Sequence, residues 1–195
     1  MIIHQHFSVS ALCNTYLVAS KATGEALLID PGSVELDLIN LIEANGLELT
    51  TVLLTHGHLA HREGLGTLEK IYDVSVWASE YSRVPFPFNA VGEHDVLHLC
   101  NMEIEAIHVP GHSLDSVVWK IGGALFTGDV LHSGWIGRSG GYREQALLLQ
   151  LIEERLFTLD ENTLLFPGHG SPSKLRIETL FNLALRTRVS RRAVP

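Results

Sequence analysis

Apolar positions along the chain recur with two different periods, one typical of strands and one typical of helices. Short runs of strand length occupy residues 15–18, 25–29, 49–55, 73–78, 94–99, 102–108, 116–121, 124–127 and 163–166. Stretches with helical spacing of apolar residues predict helices over residues 33–46, 62–72, 143–157 and 173–183. Because the two kinds of segment interleave without a linker, we expect an α/β (α+β) fold in a single layered domain over residues 1–185.

The first predicted helix carries the clearest local signals. Ser33 is suited to cap its start, and Gly46 is suited to end it in a left-handed conformation. We expect its apolar residues to face the core, and these are Leu36, Ile39, Leu41 and Ile42.

Charge is distributed unevenly along the 195 residues. The net charge is −8, yet four of the 14 basic residues are arginines in the last ten positions, where no acidic residue occurs. The rest of the chain is therefore strongly acidic, which excludes a broad nucleic-acid surface because phosphate binding needs clustered Lys and Arg. We expect residues 186–195 to form a basic, solvated C-terminal tail.

The two cysteines, Cys13 and Cys100, form no CxxC pair, so neither a disulfide framework nor a thiolate zinc site is expected. The N-terminus lacks the pattern of a signal peptide, and no apolar run has membrane-spanning length. We therefore expect a cytoplasmic protein with neither a membrane nor a nucleic acid as partner. The sequence predicts no particular oligomeric state.

Histidines make up 11 of the 195 residues, and several follow predicted strands. The segment Thr-His-Gly-His-Leu-Ala-His at 55–61 comes directly after one strand, and Pro-Gly-His turns at 110–112 and 167–169 follow two others. Thr-Gly-Asp at 127–129 ends a further strand. Imidazole and carboxylate ligands without thiolate suit zinc, with iron or manganese as alternatives. The predicted metal ligands are His56, His58, His61, His112, Asp129 and His169.

In this order, these motifs resemble those of the metallo-β-lactamase-fold hydrolases. Within that superfamily, Gly-Trp-Ile-Gly-Arg-Ser at 134–139 and Pro-Gly-His-Gly at 167–170 are most similar to the short glyoxalase II-type thioesterases. The resemblance implies a four-layer αβ/βα sandwich with two metals at the rim between the sheets. It also implies that His56, His58 and His112 hold the first metal, that Asp129 bridges, and that His61 and His169 hold the second.

The family motif is HxHxDH, and here its Asp is replaced by Ala60. A methyl group supplies no lone pair, so we expect a complete first site, a weakened second site and slower turnover, since the lost carboxylate would also orient the attacking water. Asp129 and position 60 are thus the catalytic positions. Glu63, at the start of the next predicted helix, is a candidate replacement ligand. Two explanations of Ala60 fit the sequence. As a natural divergence it would give a mononuclear enzyme or a catalytically silent binder, and as an introduced substitution it would give an impaired form of a complete enzyme.

Thioester hydrolysis of a small acyl substrate is the activity that the resemblance implies, although the chain ends before the helical region with which longer relatives grip glutathione. We expect substrate contacts in the loop after residue 135, from Arg138, Tyr142 and Arg143.

Two other functions fit the same residues. One is a mononuclear iron persulfide dioxygenase that uses His56, His112 and Asp129. The other is a catalytically silent metal-binding or ligand-binding protein. The sequence indicates no definite role for His132. The five remaining histidines alternate with apolar residues on predicted strands, which favours surface or core positions. These are His4, His6, His94, His98 and His108.

Overall fold

The computed structural model describes residues 1–185, in which two six-stranded sheets face each other. The first sheet contains, in spatial order, β1 (Ile2–Ser8), β2 (Cys13–Ala19), β3 (Glu25–Ile29), β4 (Glu48–Leu53), β5 (Ser75–Ser79) and β6 (Asn89–Val91). The next strands along the chain are β7 (Val96–Leu99), β8 (Met102–His108), β9 (Val117–Ile121), β10 (Ala124–Gly128), β11 (Leu131–His132), β12 (Trp135–Ile136), β13 (Leu164–Pro167) and β14 (Ser173–Lys174). The second sheet has the order β14-β13-β10-β9-β8-β7, and β11 and β12 form a separate ribbon.

Helices cover the outer face of each sheet. They are α1 (Leu36–Ala44), α2 (Leu59–Arg62), α3 (Leu65–Leu68), α4 (Tyr142–Leu151) and α5 (Leu175–Phe181), and α4 continues into a π-helical turn over Ile152–Leu156.

Three apolar clusters separate the four layers. Tyr16 on β2 packs with Trp119 and Phe126 of the second sheet in the central cluster. Because successive side chains of a strand point to opposite faces, the neighbouring Leu17 packs in the outer cluster with Leu38 of α1. The other outer cluster joins the second sheet to α4, the π-helical turn and α5. The predicted four-layer αβ/βα sandwich is confirmed.

Several elements differ from the sequence prediction. Residues 2–8 form the edge strand β1, paired antiparallel with β2, although their mixed apolar and polar residues leave most of the strand partly or fully exposed. The predicted helix over residues 62–72 is instead the end of α2 followed by the short helix α3, because the peptide N–H of Gly64 donates to the carbonyl of Gly32 and not to the preceding helical turn.

The start of α1 also differs from the prediction. Glu35, rather than Ser33, occupies the N-cap position, and the Ser33 hydroxyl donates a hydrogen bond to Glu63 over 2.8 Å. Leu36 is 73% exposed, whereas Leu38 and Ile42 form the buried face of the helix. The predicted basic tail at 186–195 lies outside the described residues.

Strand ends of both sheets meet along one rim. The peptide N–H of Val117 donates to the carbonyl of Thr55 over 2.8 Å, and that of Asn14 donates to the carbonyl of Gly168 over 2.7 Å. The Tyr16 hydroxyl donates to the carbonyl of Pro167 over 2.7 Å. These bonds hold the segment after β4 against the start of β9, and the end of β13 against β2. The peptide N–H of Gly168 also donates to the carbonyl of Gly128, at the end of β10, over 2.8 Å.

Gly128 determines how closely two of these segments approach. It adopts φ +47°, and a Cβ atom there would lie 2.2 Å from Oγ1 of Thr55. Gly122, in the turn between β9 and β10, has a similar φ of +56°, but among residues 1–185 nothing lies within 4 Å of such a Cβ atom.

Gly128→Ala should therefore destabilise the fold by about 1–3 kcal/mol more than Gly122→Ala, because only the first variant adds a steric clash to the backbone strain. Urea denaturation of the two variants measures this difference. Equal losses of unfolding free energy would contradict the proposed close approach.

Candidate metal centre

Four ligand atoms converge at the rim after β4, β8 and β10. They belong to His56, His58, His112 and Asp129, and all lie within 4.8 Å of one another. Nε2 of His56 is 3.0 Å from Nδ1 of His58, which is 2.9 Å from Nε2 of His112. Neighbouring ligand atoms of one ion with bonds near 2.1 Å are separated by about 3.0–3.4 Å. The predicted first set of ligands is therefore brought together.

A second cluster adjoins the first and shares Asp129. Oδ1 of Asp129 is 3.5 Å from Nε2 of His61 and 3.4 Å from Nε2 of His169. Within the described residues, Oδ1 of Asp129 and Nε2 of His61 are buried and make no hydrogen bond. Buried polar atoms without partners are costly, and a divalent cation between them would satisfy both. The residues present therefore fit a metal.

In three of these histidines, the ring nitrogen that faces away from the cluster contacts an oxygen atom. Nδ1 of His112 donates to the carbonyl of Arg138 over 2.7 Å, and Nδ1 of His169 donates to that of Leu12 over 2.9 Å. Nδ1 of His61 contacts Oδ2 of Asp30 at 2.9 Å. Each contact fixes the ring orientation and leaves Nε2 free to bind a cation.

Asp30, directly after β3, is a positioning residue that was not among the predicted site residues. Its carboxylate accepts the peptide N–H of Thr55 over 2.8 Å and the Thr55 hydroxyl over 2.6 Å, in addition to His61. Its φ of +50° is left-handed, so the local backbone is strained to place the carboxylate there. The Asp-Pro-Gly turn at a strand end was the signal that could have identified it.

The pKa shifts of the clustered side chains suit metal binding. Burial lowers the pKa of His56 and of His112, so both are neutral ligands at neutral pH. Burial opposes protonation of His61, but the carboxylates of Asp30 and Asp129 outweigh it and raise the pKa of His61 to about 10. Burial would raise the pKa of Asp129, but contacts with His132 and His61 hold it well below its usual range.

Ala60 lies in α2, between His58 and His61, and its side chain has no atom that could bind a cation. Its carbonyl accepts a hydrogen bond from the Cys13 thiol over 3.0 Å. Glu63 does not replace the missing carboxylate, because it is exposed and bonded to Ser33. The prediction for Glu63 as a replacement ligand is wrong.

A cavity of about 390 Å³ opens onto the cluster. Its described lining consists of His112, Asp129, His132, Trp135, Ile136, Arg138 and His169. Arg138 thus lies beside the metal ligands, and its contact with substrate stays a prediction. Tyr142, which is 81% exposed, and Arg143 begin α4 and are not among the described lining residues.

The four-layer fold, with two adjoining clusters of histidine and aspartate at its rim, is that of a metal-binding αβ/βα sandwich protein. The family model described as metallo-beta-lactamase superfamily matches residues 11–99. The chain is 31% identical to hydroxyacylglutathione hydrolase GloC of Haemophilus influenzae, with 84% of this chain and 88% of that protein covered. The chain therefore belongs to the metallo-β-lactamase superfamily.

Two further similarities extend this comparison. A hydroxyacylglutathione hydrolase of Chromohalobacter salexigens is 32% identical over 79% of this chain, which spans only 60% of that relative's length. The crystal structure of ETHE1 from Myxococcus xanthus superimposes with a TM-score of 0.83 at 26% identity, covering 100% of this chain and 92% of that one. No helix within residues 1–185 combines the length and apolar character needed to cross a bilayer.

Asp30→Asn should weaken zinc binding at the His61 cluster by about 10–100-fold, because the ring of His61 loses its charged partner. Calorimetric titration of the metal-free protein with zinc measures both binding steps. Asp115→Asn is the matched control, since this buried carboxylate accepts a hydrogen bond from Ser82 instead. An unchanged second binding step in Asp30→Asn would contradict the role of Asp30.

Proposed function

We propose that the protein is a zinc-dependent hydrolase that cleaves a small acyl thioester. The observation that carries this proposal is the pair of adjoining clusters that share Asp129 and open into one cavity. The similarity to proteins named hydroxyacylglutathione hydrolase supports a thioester as the substrate class.

In this proposal, His56, His58 and His112 would hold the first ion, His61 and His169 would hold the second, and Asp129 would contribute to both. Bound zinc supplies Lewis acidity and lowers the pKa of a coordinated water to about 7. The protein contributes rings already locked by Asp30, Arg138 and Leu12, so little reorganisation is needed when the substrate binds.

The cavity walls suit an anionic acyl compound. The exposed guanidinium of Arg138 can attract a carboxylate, and Trp135 and Ile136 provide an apolar wall for the carbon chain. A thiol has a pKa near 8.5, so a thiolate leaves without a strong acid catalyst. The missing carboxylate at position 60 leaves the attacking water less well oriented, and we expect turnover slower than that of a site with Asp there.

Cytoplasmic location and the lack of a nucleic-acid or membrane partner also remain proposals. The two buried, free cysteines are compatible with a reducing compartment. The acidic body of the chain disfavours nucleic acid.

Removing the metal should abolish thioester hydrolysis, and adding zinc back should restore it, because the proposed chemistry depends on the bound cation. A panel of acyl thioesters, with thiol release as the readout, measures this in chelated and zinc-loaded protein. Retention of full activity after complete chelation would contradict the proposal. Oxygen consumption with a persulfide by iron-loaded protein, without thioester turnover, would support the iron dioxygenase function instead.

Arg138→Ala should raise KM for a carboxylate-bearing thioester by up to about fivefold with little change in kcat, since an exposed ion pair is worth at most about 1 kcal/mol. A neutral thioester of similar size should show no such change. Arg176→Ala is the control, because Arg176 is exposed on α5 and pairs with Glu161. An equal effect on the charged and neutral substrates would contradict the role of Arg138.

A further inference from the structure

His132 lies against the second cluster, although neither the family motif nor the resemblance gives it a role. Its Nε2 atom is 3.5 Å from Oδ1 of Asp129, the same oxygen that His61 and His169 approach. Within residues 1–185 this nitrogen is buried and makes no hydrogen bond. Three imidazole nitrogens therefore surround one carboxylate oxygen.

The separations are longer than those of hydrogen-bonded ion pairs. The three nitrogens lie 3.5, 3.5 and 3.4 Å from Oδ1 of Asp129. A charged hydrogen bond from an imidazole to a carboxylate is typically about 2.7–2.9 Å long. Two ligand atoms of a tetrahedral zinc ion, with bonds near 2.1 Å, are about 3.4 Å apart. Measured from Oδ1 of Asp129, the three separations therefore match ligands of a shared cation better than direct hydrogen bonds. The ligand atoms within 4.8 Å of one another are those of His61, Asp129 and His169, so the ring of His132 must move towards them to bind the same ion.

The backbone around His132 is held firmly enough to present the ring. His132 pairs with Trp135 in the ribbon of β11 and β12. The side-chain amide of Asn182 donates to the carbonyl of Trp135 over 2.9 Å and to that of His132 over 3.3 Å. Thr127 donates its hydroxyl to the carbonyl of Leu131 over 2.7 Å. These bonds tie the ribbon to α5 on one side and to β10 on the other.

The second cluster is also the one that lacks a ligand. Position 60 supplies no oxygen, and Glu63 is bonded elsewhere, so His61, His169 and Asp129 leave the ion one ligand short of four. We propose that His132 is a ligand of the second metal and takes the place of the carboxylate missing at position 60.

This assignment rests on the metal binding proposed above, but it does not depend on the substrate class. Replacing an anionic oxygen with a neutral nitrogen leaves more positive charge on the bound ion. It also makes the donor set richer in imidazole, which favours zinc over the oxygen-preferring manganese.

The test compares zinc binding by the metal-free wild-type protein, His132→Phe and the double variant Ala60→Asp/His132→Phe. Calorimetric titration gives the affinity of each step, and elemental analysis after dialysis gives the number of ions. We expect two ions in the wild type, a second step about 100-fold weaker or absent in His132→Phe, and recovery in the double variant. His98→Phe, which removes an exposed imidazole on β7, should behave as the wild type.

Recovery by Ala60→Asp separates a ligand role from a structural one, because a carboxylate at position 60 would not repair a misfolded ribbon. His132→Gln provides a second loss-of-ligand variant if the Phe side chain prevents folding. A second zinc-binding step unchanged in both His132→Phe and His132→Gln would overturn the assignment. A wild type that binds one ion and still hydrolyses thioesters would also overturn it. A wild type that binds no ion would overturn the proposed function as well.

Discussion

The carboxylate of Asp129, with a side chain only 12% exposed, lies within 3.5 Å of four imidazole nitrogens of the described residues. His112 approaches one oxygen at 3.5 Å, while His61, His132 and His169 approach the other at 3.4–3.5 Å. A buried charge is unfavourable unless it is paired or binds a metal, so the arrangement around Asp129 needs cations of some kind. His61, whose pKa is raised to about 10, supplies one positive charge in the metal-free protein, and bound metal ions would supply more in the loaded one.

The fold brings these side chains together by letting backbones approach unusually closely. A Cβ atom at Gly168 would lie 2.6 Å from Cε1 of His61 and 2.9 Å from Oδ1 of Asp129. Gly128 has the same function beside Thr55, whose hydroxyl and peptide N–H bind Asp30. Asp30 then orients His61. Residues at the ends of β3, β4, β10 and β13 therefore contact one another, and the geometry of the site depends on how the two sheets meet.

Local sequence patterns predicted the layered fold and the convergence of six ligands, because strand length, turn glycines and histidine spacing are encoded within short segments. They did not predict β1, whose stability comes from pairing with β2 and not from its own pattern. They also missed the place of His132, since a lone histidine three residues after Asp129 carries no periodic signal. Glu63, named only as a candidate replacement for the missing carboxylate, does not take that place because Ser33, distant in sequence, binds its side chain.

The central claim is that Asp129 is shared between two metal sites at the rim of the sandwich. Anomalous diffraction at the zinc absorption edge, from crystals of the zinc-loaded protein, tests it most directly. We expect two peaks about 3.5–4 Å apart, one on each side of the Asp129 carboxylate, with Nε2 of His132 bound to the peak nearer His61. Peaks located away from Asp129, or none in zinc-saturated crystals, would contradict the claim.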